Sequence, residues 1–134
     1  MSKLDYVLLV DDDDVTNFVH ESLLEGMDVA QQLLVAKNGQ EAIDLIKKHC
    51  MGKNGCPSLI FLDINMPVMN GFEFLEAYHQ LENDLNKSII IVMLTSSLNP
   101  KDIERAQETG VDEFLNKPLT EENLKTLLSK HFDG

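Results

Sequence analysis

Five short apolar runs alternate with amphipathic segments along the chain, and this alternation constrains the fold more than any other feature. The runs are apolar at nearly every position, which is typical of parallel strands that are covered on both faces. Alternating strands and helices with right-handed crossovers predict an α/β fold: a doubly wound, five-stranded parallel sheet with strand order 2-1-3-4-5 and helices on both faces. The candidate strands are Tyr6–Val10, Leu33–Ala36, Leu59–Leu62, Ile89–Leu94 and Phe114–Leu115.

Residues that favour helix N-termini precede the amphipathic segments. We expect Asp14 to cap the first helix. Asn38 and Glu41 have the spacing of a capping box at the start of the second helix. Asn99, which is followed by proline, and Thr120 are the predicted caps of the fourth and fifth helices. The apolar stripe of the first helix is predicted to consist of Val15, Phe18, Val19, Ser22 and Leu23.

The chain has 134 residues, of which 11 are basic and 23 are acidic, so its formal net charge is −12. A chain of this length is expected to form one domain over residues 1–134, with a core from about 4 to 132 and no room for a second domain. The acidic excess argues against nucleic acid and membrane surfaces as partners, because binding phosphate groups requires clustered Lys and Arg. It permits metal cations and basic protein surfaces.

Neither a membrane span nor a secretory signal is predicted. The longest apolar run is far shorter than the ~20 residues of a spanning helix, and no basic stretch leads into an apolar region at the N-terminus. Cys50 and Cys56 are too few for a disulfide scaffold and lack the spacing of a zinc site. We therefore expect a cytoplasmic protein in which both cysteines are structural or incidental.

Polar residues follow the predicted strands at the edge where ligands bind in open parallel sheets. Asp11 and Asp12 follow the first strand and Asp63 follows the third, which is its predicted neighbour. Thr95 follows the fourth strand and Lys117 the fifth. We expect the three carboxylates to converge, with the hydroxyl and the ammonium beside them. Asp13 and Asp14, by contrast, are interpreted as part of a solvated turn.

Three carboxylates in one crevice need a cation or a proton, because two charges about 5 Å apart repel by roughly 3 kcal/mol at an effective dielectric constant of about 20. An all-oxygen ligand set favours Mg²⁺ or Mn²⁺. Lys117 and Thr95 could then contact the oxygens of a phosphoryl group held near the metal. The central carboxylate would be the nucleophile and would form an aspartyl-phosphate.

Four sequence segments, in this order and spacing, resemble the receiver domain of two-component response regulators. They are Val7–Asp12, Leu62–Pro67 with the Asn70-Gly71 pair, Leu94–Ser96 and Phe114–Pro118. The resemblance extends over most of the chain and implies a flavodoxin-like (βα)5 fold. It also implies a phosphorelay switch rather than a metabolic enzyme. Such a switch assists its own phosphorylation and dephosphorylation.

The resemblance assigns a role to each matching residue. Asp63 resembles the phospho-acceptor, and Thr95 and Lys117 resemble the hydroxyl and lysine that contact the phosphoryl group. Asp12 resembles the direct Mg²⁺ ligand and Asp11 the acid that holds the metal through water. Asn65 resembles the residue whose backbone carbonyl binds the metal. Phe114 fills the switch-aromatic position, with Thr95 as its switch partner. The Lys117–Pro118 bond is a candidate cis peptide bond.

The resemblance also implies the partners. The phosphodonor would be a sensor histidine kinase or a histidine phosphotransfer protein, and the signal would leave by contact with a downstream protein target.

Two alternatives remain at the level of the sequence. A haloacid dehalogenase-type phosphohydrolase also uses an aspartate after a parallel strand, but it needs a second aspartate two residues later, where this chain has Asn65. A degenerate receiver that is never phosphorylated would act only as an interaction module. Phosphorylation that depends on a divalent metal would distinguish these possibilities.

Overall fold

The computed structural model describes residues 3–50, 55–85, 89–96 and 99–132 and contains five strands and five helices in strict alternation. The five strands form one parallel sheet in the order β2-β1-β3-β4-β5, which confirms the predicted topology. The elements are β1 (Leu4–Val10), α1 (Asp14–Gly26), β2 (Ala30–Ala36), α2 (Gly39–Cys50), β3 (Leu59–Leu62), α3 (Gly71–Leu85), β4 (Ile90–Thr95), α4 (Pro100–Glu108), β5 (Glu113–Asn116) and α5 (Glu121–His131).

Buried residues form a core on each face of the sheet. Successive side chains of a strand point to opposite faces, so Leu8 and Val10 belong to one core and Val7 and Leu9 to the other. Helices α2, α3 and α4 cover the first face, and α1 and α5 cover the second. The central strands are therefore apolar on both sides, as the continuous runs predicted.

Helix α1 differs from its predicted orientation. Val15, Phe18 and Val19 are 69%, 71% and 47% exposed, so most of the predicted apolar stripe does not face the core. Leu23 alone of its apolar members packs against the core. The buried residues of α1 are instead Asn17, His20 and Leu24. The reason is local: Asn17 and His20 form hydrogen bonds with main-chain groups beneath the helix, and apolar side chains could not satisfy those groups.

Helix capping follows the sequence with two exceptions. Asn99 and Thr120 cap α4 and α5 as predicted. Asn38 accepts the Glu41 N–H as in the predicted capping box, but the Glu41 carboxylate accepts the N–H of Lys37 rather than that of Asn38. The N-cap of α1 is Asp13 rather than the predicted Asp14, because the carboxylate of Asp13 accepts hydrogen bonds from the Val15 N–H and the Thr16 hydroxyl. Asp14 lies in the first turn of the helix.

Cys50 and Cys56 form a disulfide, which the sequence did not predict. Cys50 ends α2 and Cys56 precedes β3, so the bond spans a separation of only six residues. Two cysteines can form a disulfide wherever the fold brings their Cα atoms within about 7 Å, so the small number of cysteines does not exclude the bond. Within the described ranges, no helix combines the length and apolar character needed to cross a bilayer.

Candidate functional site

An acidic cluster lies at the carboxyl edge of the sheet, where β1 and β3 end. Val10 pairs with Leu62 in the parallel register, so Asp11 and Asp63, the next residues, lie side by side. Carboxylate oxygens of Asp11, Asp12 and Asp63 all lie within 4.8 Å of one another. Asp11 and Asp63 are buried, whereas Asp12 is exposed. The predicted convergence of the three carboxylates is therefore present.

Lys117, the residue that follows β5, reaches into this cluster. Its Nζ lies 2.5 Å from Asp11 Oδ2 and 3.4 Å from Asp63 Oδ1. Its main-chain N–H donates to the Thr95 carbonyl at 2.9 Å, which fixes the end of β5 against β4. The Lys117–Pro118 peptide bond is cis, as the resemblance implied. Burial of Lys117 opposes its charge, but the hydrogen bond and the charges of Asp11 and Asp63 together raise its pKa above the ordinary value.

The ionisation of Asp63 is perturbed by its surroundings. Burial raises the pKa of Asp63 from 3.8 to about 6; Lys117 opposes this shift and the charge of Asp11 adds to it. The Ile64 N–H donates to Asp63 Oδ1 at 2.9 Å and orients the carboxylate. A carboxylate that is costly to ionise, beside a second carboxylate and an ammonium, can bind a cation or react as a nucleophile.

The β3–α3 loop fixes the main chain of Asp63 from the other side. The Gly71 N–H donates to the Ile64 carbonyl at 2.8 Å, and a Cβ on Gly71 would collide with the carbonyl oxygen of Asp63. Asn70 and Glu73 form a capping box that begins α3 at this point. Glycine is therefore required at position 71 by the close approach of two main-chain segments.

The remaining predicted residues, Thr95, Asn65 and Phe114, differ in burial and in position. Thr95 is 1% exposed at the end of β4, where it pairs in register with Asn116. Asn65 is exposed and lies two residues after Asp63. Phe114 is partly buried against the core on the α2–α4 face and pairs in register with Met93.

Two buried residues near the site were missed by reasoning from the sequence. Asn17 Nδ2 donates to the Asp11 carbonyl at 2.9 Å, and His20 Nε2 accepts from the Leu119 N–H at 3.4 Å. Both side chains line a cavity of about 10 Å³, room for one water molecule, whose other polar walls are Asp11 and Asp63. Their spacing with Leu24 is helical, and this second stripe in α1 was the available signal.

Comparison with known proteins agrees with this architecture. The model of the response regulator receiver domain matches residues 7–129. Two-component response regulator 24 of Arabidopsis thaliana is 31% identical over 123 residues, covering 92% of this chain and 81% of that protein. Hybrid signal transduction histidine kinase B of Dictyostelium discoideum is 32% identical over 98% of this chain, which spans 7% of that much longer protein.

Solved structures give the same result. A two-component response regulator from Cytophaga hutchinsonii superimposes with a TM-score of 0.88 at 32% identity, covering 99% of this chain and 100% of that chain. The Mn²⁺-bound form of response regulator Rcp1 superimposes with a TM-score of 0.72 at 27% identity, covering 94% of this chain and 90% of that one. The family model, the strand order and the cluster at the carboxyl edge agree, and the chain therefore belongs to the response regulator receiver domain family.

Proposed function

We propose that this protein is a phosphorelay switch whose phospho-acceptor is Asp63. The observation that carries the proposal is the contact between Lys117 and the buried Asp63 carboxylate, whose pKa is raised, at the carboxyl edge of the sheet. Phosphoryl transfer requires little covalent chemistry from a protein, and depends mainly on positioning and on charge stabilisation. The cluster supplies both.

In the proposed reaction, a carboxylate oxygen of Asp63 attacks the phosphorus atom of a phosphohistidine. The new P–O bond forms as the P–N bond breaks, and the electron pair of that bond stays on the histidine nitrogen. Lys117 Nζ, which lies 3.4 Å from Asp63 Oδ1, would then pair with a phosphoryl oxygen. The Thr95 hydroxyl would donate to another oxygen, and water would later hydrolyse the acyl phosphate.

The residues also fit a divalent metal. Asp11, Asp12 and Asp63 offer only oxygen atoms, which is the ligand chemistry that Mg²⁺ and Mn²⁺ prefer. Asp12 would be a direct ligand, Asp11 would hold the metal through water, and Asn65 would contribute its carbonyl. A bound Mg²⁺ would supply positive charge that offsets the repulsion between the carboxylates and the incoming phosphoryl oxygens.

Receiver domains are signalling switches rather than metabolic enzymes, and the phosphodonors of this family are histidine kinases or phosphotransfer proteins. For this chain we propose such a donor, an output through contact with a downstream protein, and action in the cytoplasm without direct binding to nucleic acid or membrane. Disulfides are uncommon in reducing compartments, so the oxidation state of Cys50 and Cys56 in freshly lysed cells tests the location. Reduced thiols would support action in the cytoplasm, and a disulfide would contradict it.

Labelling with a small phosphodonor tests the function directly. We expect acetyl phosphate to label the wild-type chain only when Mg²⁺ or Mn²⁺ is present, and Asp63→Asn to abolish the label. Asp44→Asn, a change in an exposed carboxylate on α2, serves as the matched control and should be labelled normally. Equal labelling of Asp63→Asn and the wild type would show that the acceptor is wrongly assigned, and no labelling under any condition would favour the degenerate receiver.

A further inference from the structure

Helix α1 connects the two loops that hold the charged residues of the site. Asn17 donates its side-chain N–H to the carbonyl of Asp11, and His20 accepts the main-chain N–H of Leu119. The first loop carries the Asp11 carboxylate and the second carries Lys117, and these two groups pair at 2.5 Å. Both contacts from α1 are with main-chain groups, so they leave the Asp11 carboxylate and the Lys117 ammonium untouched.

Burial gives the His20 contact its importance. His20 is 3% exposed and Leu119 is 5% exposed, so the Leu119 N–H has little access to solvent. A buried N–H that loses its acceptor is costly, and the main chain shifts to find another partner. Leu119 is only two residues after Lys117, so such a shift would move the ammonium relative to Asp63.

The ring of His20 is suited to accept a hydrogen bond. Burial lowers the pKa of His20 and the charge of Lys117 lowers it further, against the opposing effect of Asp11. These effects favour the neutral imidazole, and the Leu119 N–H that donates to Nε2 places the lone pair of the ring on that nitrogen. The ring also forms part of the wall of the cavity that Asp11 and Asp63 line, which places it directly behind the site.

We propose that His20 is a positioning residue for phosphoryl transfer: through the main chain of Leu119 it holds the Lys117 ammonium at the distance from Asp63 that the reaction needs. The inference rests on the proposed function of Asp63. Catalytic groups misplaced by about 1 Å can slow a reaction up to about 100-fold, so a contact behind the site can control the rate without touching the phosphoryl group.

The test compares two substitutions at position 20. His20→Leu removes the acceptor and keeps an apolar side chain in the buried space, whereas His20→Gln restores an acceptor at similar reach. The matched control is His49→Leu, because His49 is also a buried histidine but contacts Tyr6 at the opposite edge of the sheet. Each variant is labelled with acetyl phosphate and Mg²⁺, and each is also made in a Lys117→Ala background.

We expect His20→Leu to slow labelling about tenfold, and His20→Gln to recover most of the rate. The Mg²⁺ affinity should not change, and His49→Leu should label normally even if its melting temperature falls. In the Lys117→Ala background, His20→Leu should have no further effect, because two residues that act through the same group are not additive. Equal slowing in both backgrounds, or no slowing in either, would overturn the inference.

Hydrogen exchange keeps this test separate from the test of the acceptor. The Leu119 amide should be protected in the wild type and in His20→Gln, and should exchange faster in His20→Leu; ¹⁵N spectra of the wild type should show an unprotonated His20 Nε2. Unchanged exchange in His20→Leu would overturn the inference whatever the labelling result. Labelling of Asp63→Asn would overturn the proposed acceptor but leave the Leu119 measurement intact.

Discussion

Asp63 holds a negative charge in a place that burial makes unfavourable, and this gives the site a measurable dependence on pH. An acid whose pKa is raised on folding destabilises the folded state when it is ionised. The cost from Asp63 is therefore full above its folded pKa of about 6 and disappears as the pH falls towards 3.8. A shift of this size corresponds to a cost on the order of 1–3 kcal/mol.

Asp63→Asn should consequently raise the free energy of unfolding by about 1–3 kcal/mol at pH 7.5 without metal, and by little at pH 4. Urea unfolding at the two pH values measures the difference. Asp12→Asn is the matched control, because Asp12 belongs to the same cluster but is exposed, so its removal should change the metal-free stability less. A stabilisation by Asp63→Asn that is the same at both pH values would contradict this origin.

The residues of the site were predictable to different degrees. Asp11, Asp63 and Lys117 each follow a strand, and the carboxyl ends of parallel strands meet at one edge, so their convergence follows from topology. Asn17 and His20 were not predicted, because a polar residue inside a helix is interpreted as exposed unless its buried partner is known. Those partners are main-chain groups of Asp11 and Leu119, which sequence patterns do not reveal.

At the scale of an element, α1 presents apolar side chains to solvent beside the site. Val15, Phe18 and Val19, which we term the α1 patch, are 69%, 71% and 47% exposed. Val15 and Val19 also line a groove of about 220 Å³ together with Lys117 and Pro118. Exposed apolar residues that adjoin a functional site are typical of a protein-binding surface. We infer that the phosphodonor protein covers the α1 patch when its phosphohistidine approaches Asp63.

Phe18→Ser should therefore slow transfer from a phosphorylated histidine phosphotransfer domain about tenfold or more, because burial of a Phe side chain contributes about 1.5–3 kcal/mol to binding. Labelling by acetyl phosphate should not change, since that donor makes no use of the helix surface. Glu25→Ser provides a control at an exposed residue of the same helix, at the end away from the site. If Phe18→Ser slows both donors equally, the substitution disturbs the site itself and the inference about docking is wrong.

The elements were predicted more reliably than their orientations. The fully buried strand β3 had the predicted bounds, Leu59–Leu62, because a continuous apolar run between polar residues leaves little choice. Strand β2 begins at Ala30, earlier than the predicted Leu33, and the prediction missed this part because Gln31 and Gln32 are polar and the strand lies at the edge of the sheet. The predicted orientation of α1 was wrong because the helix has two stripes of residues at helical spacing, and only tertiary contacts select which stripe is buried.

At the scale of the whole molecule, β4 and β5 run from the site towards the surface formed by α4, β5 and α5. Thr95 ends β4, and its carbonyl accepts the main-chain N–H of Lys117. Met93, two residues earlier, pairs with Phe114, which is only partly buried. Among the nine residues of α4, all of them described, only Ala106 is buried, so few apolar contacts hold this helix to the sheet. An element held this weakly can move at low cost.

A phosphoryl group on Asp63 would carry about −1.5 to −2 charges at the edge of the sheet, in place of the single negative charge of the ionised carboxylate. We expect the Thr95 hydroxyl to move towards it, and the Phe114 ring to turn into the space beside β4. Fuller burial of that ring contributes about 1–3 kcal/mol, which is enough to shift a two-state equilibrium substantially. Phe114 has no hydroxyl, so packing alone sets its preference. The signal would then appear on the surface formed by α4, β5 and α5.

Thr95→Ala separates this conformational response from the chemistry. We expect the variant to accept a phosphoryl group on Asp63 nearly as well as the wild type, but to respond less at a distance. In NMR spectra with a beryllofluoride phosphoryl mimic, the wild type should show shifts at Phe114 and throughout α4, and these shifts should be smaller in Thr95→Ala. If the shifts of the wild type are confined to the loops that carry Asp11, Asp12 and Asp63, the signal does not travel through Thr95 and Phe114.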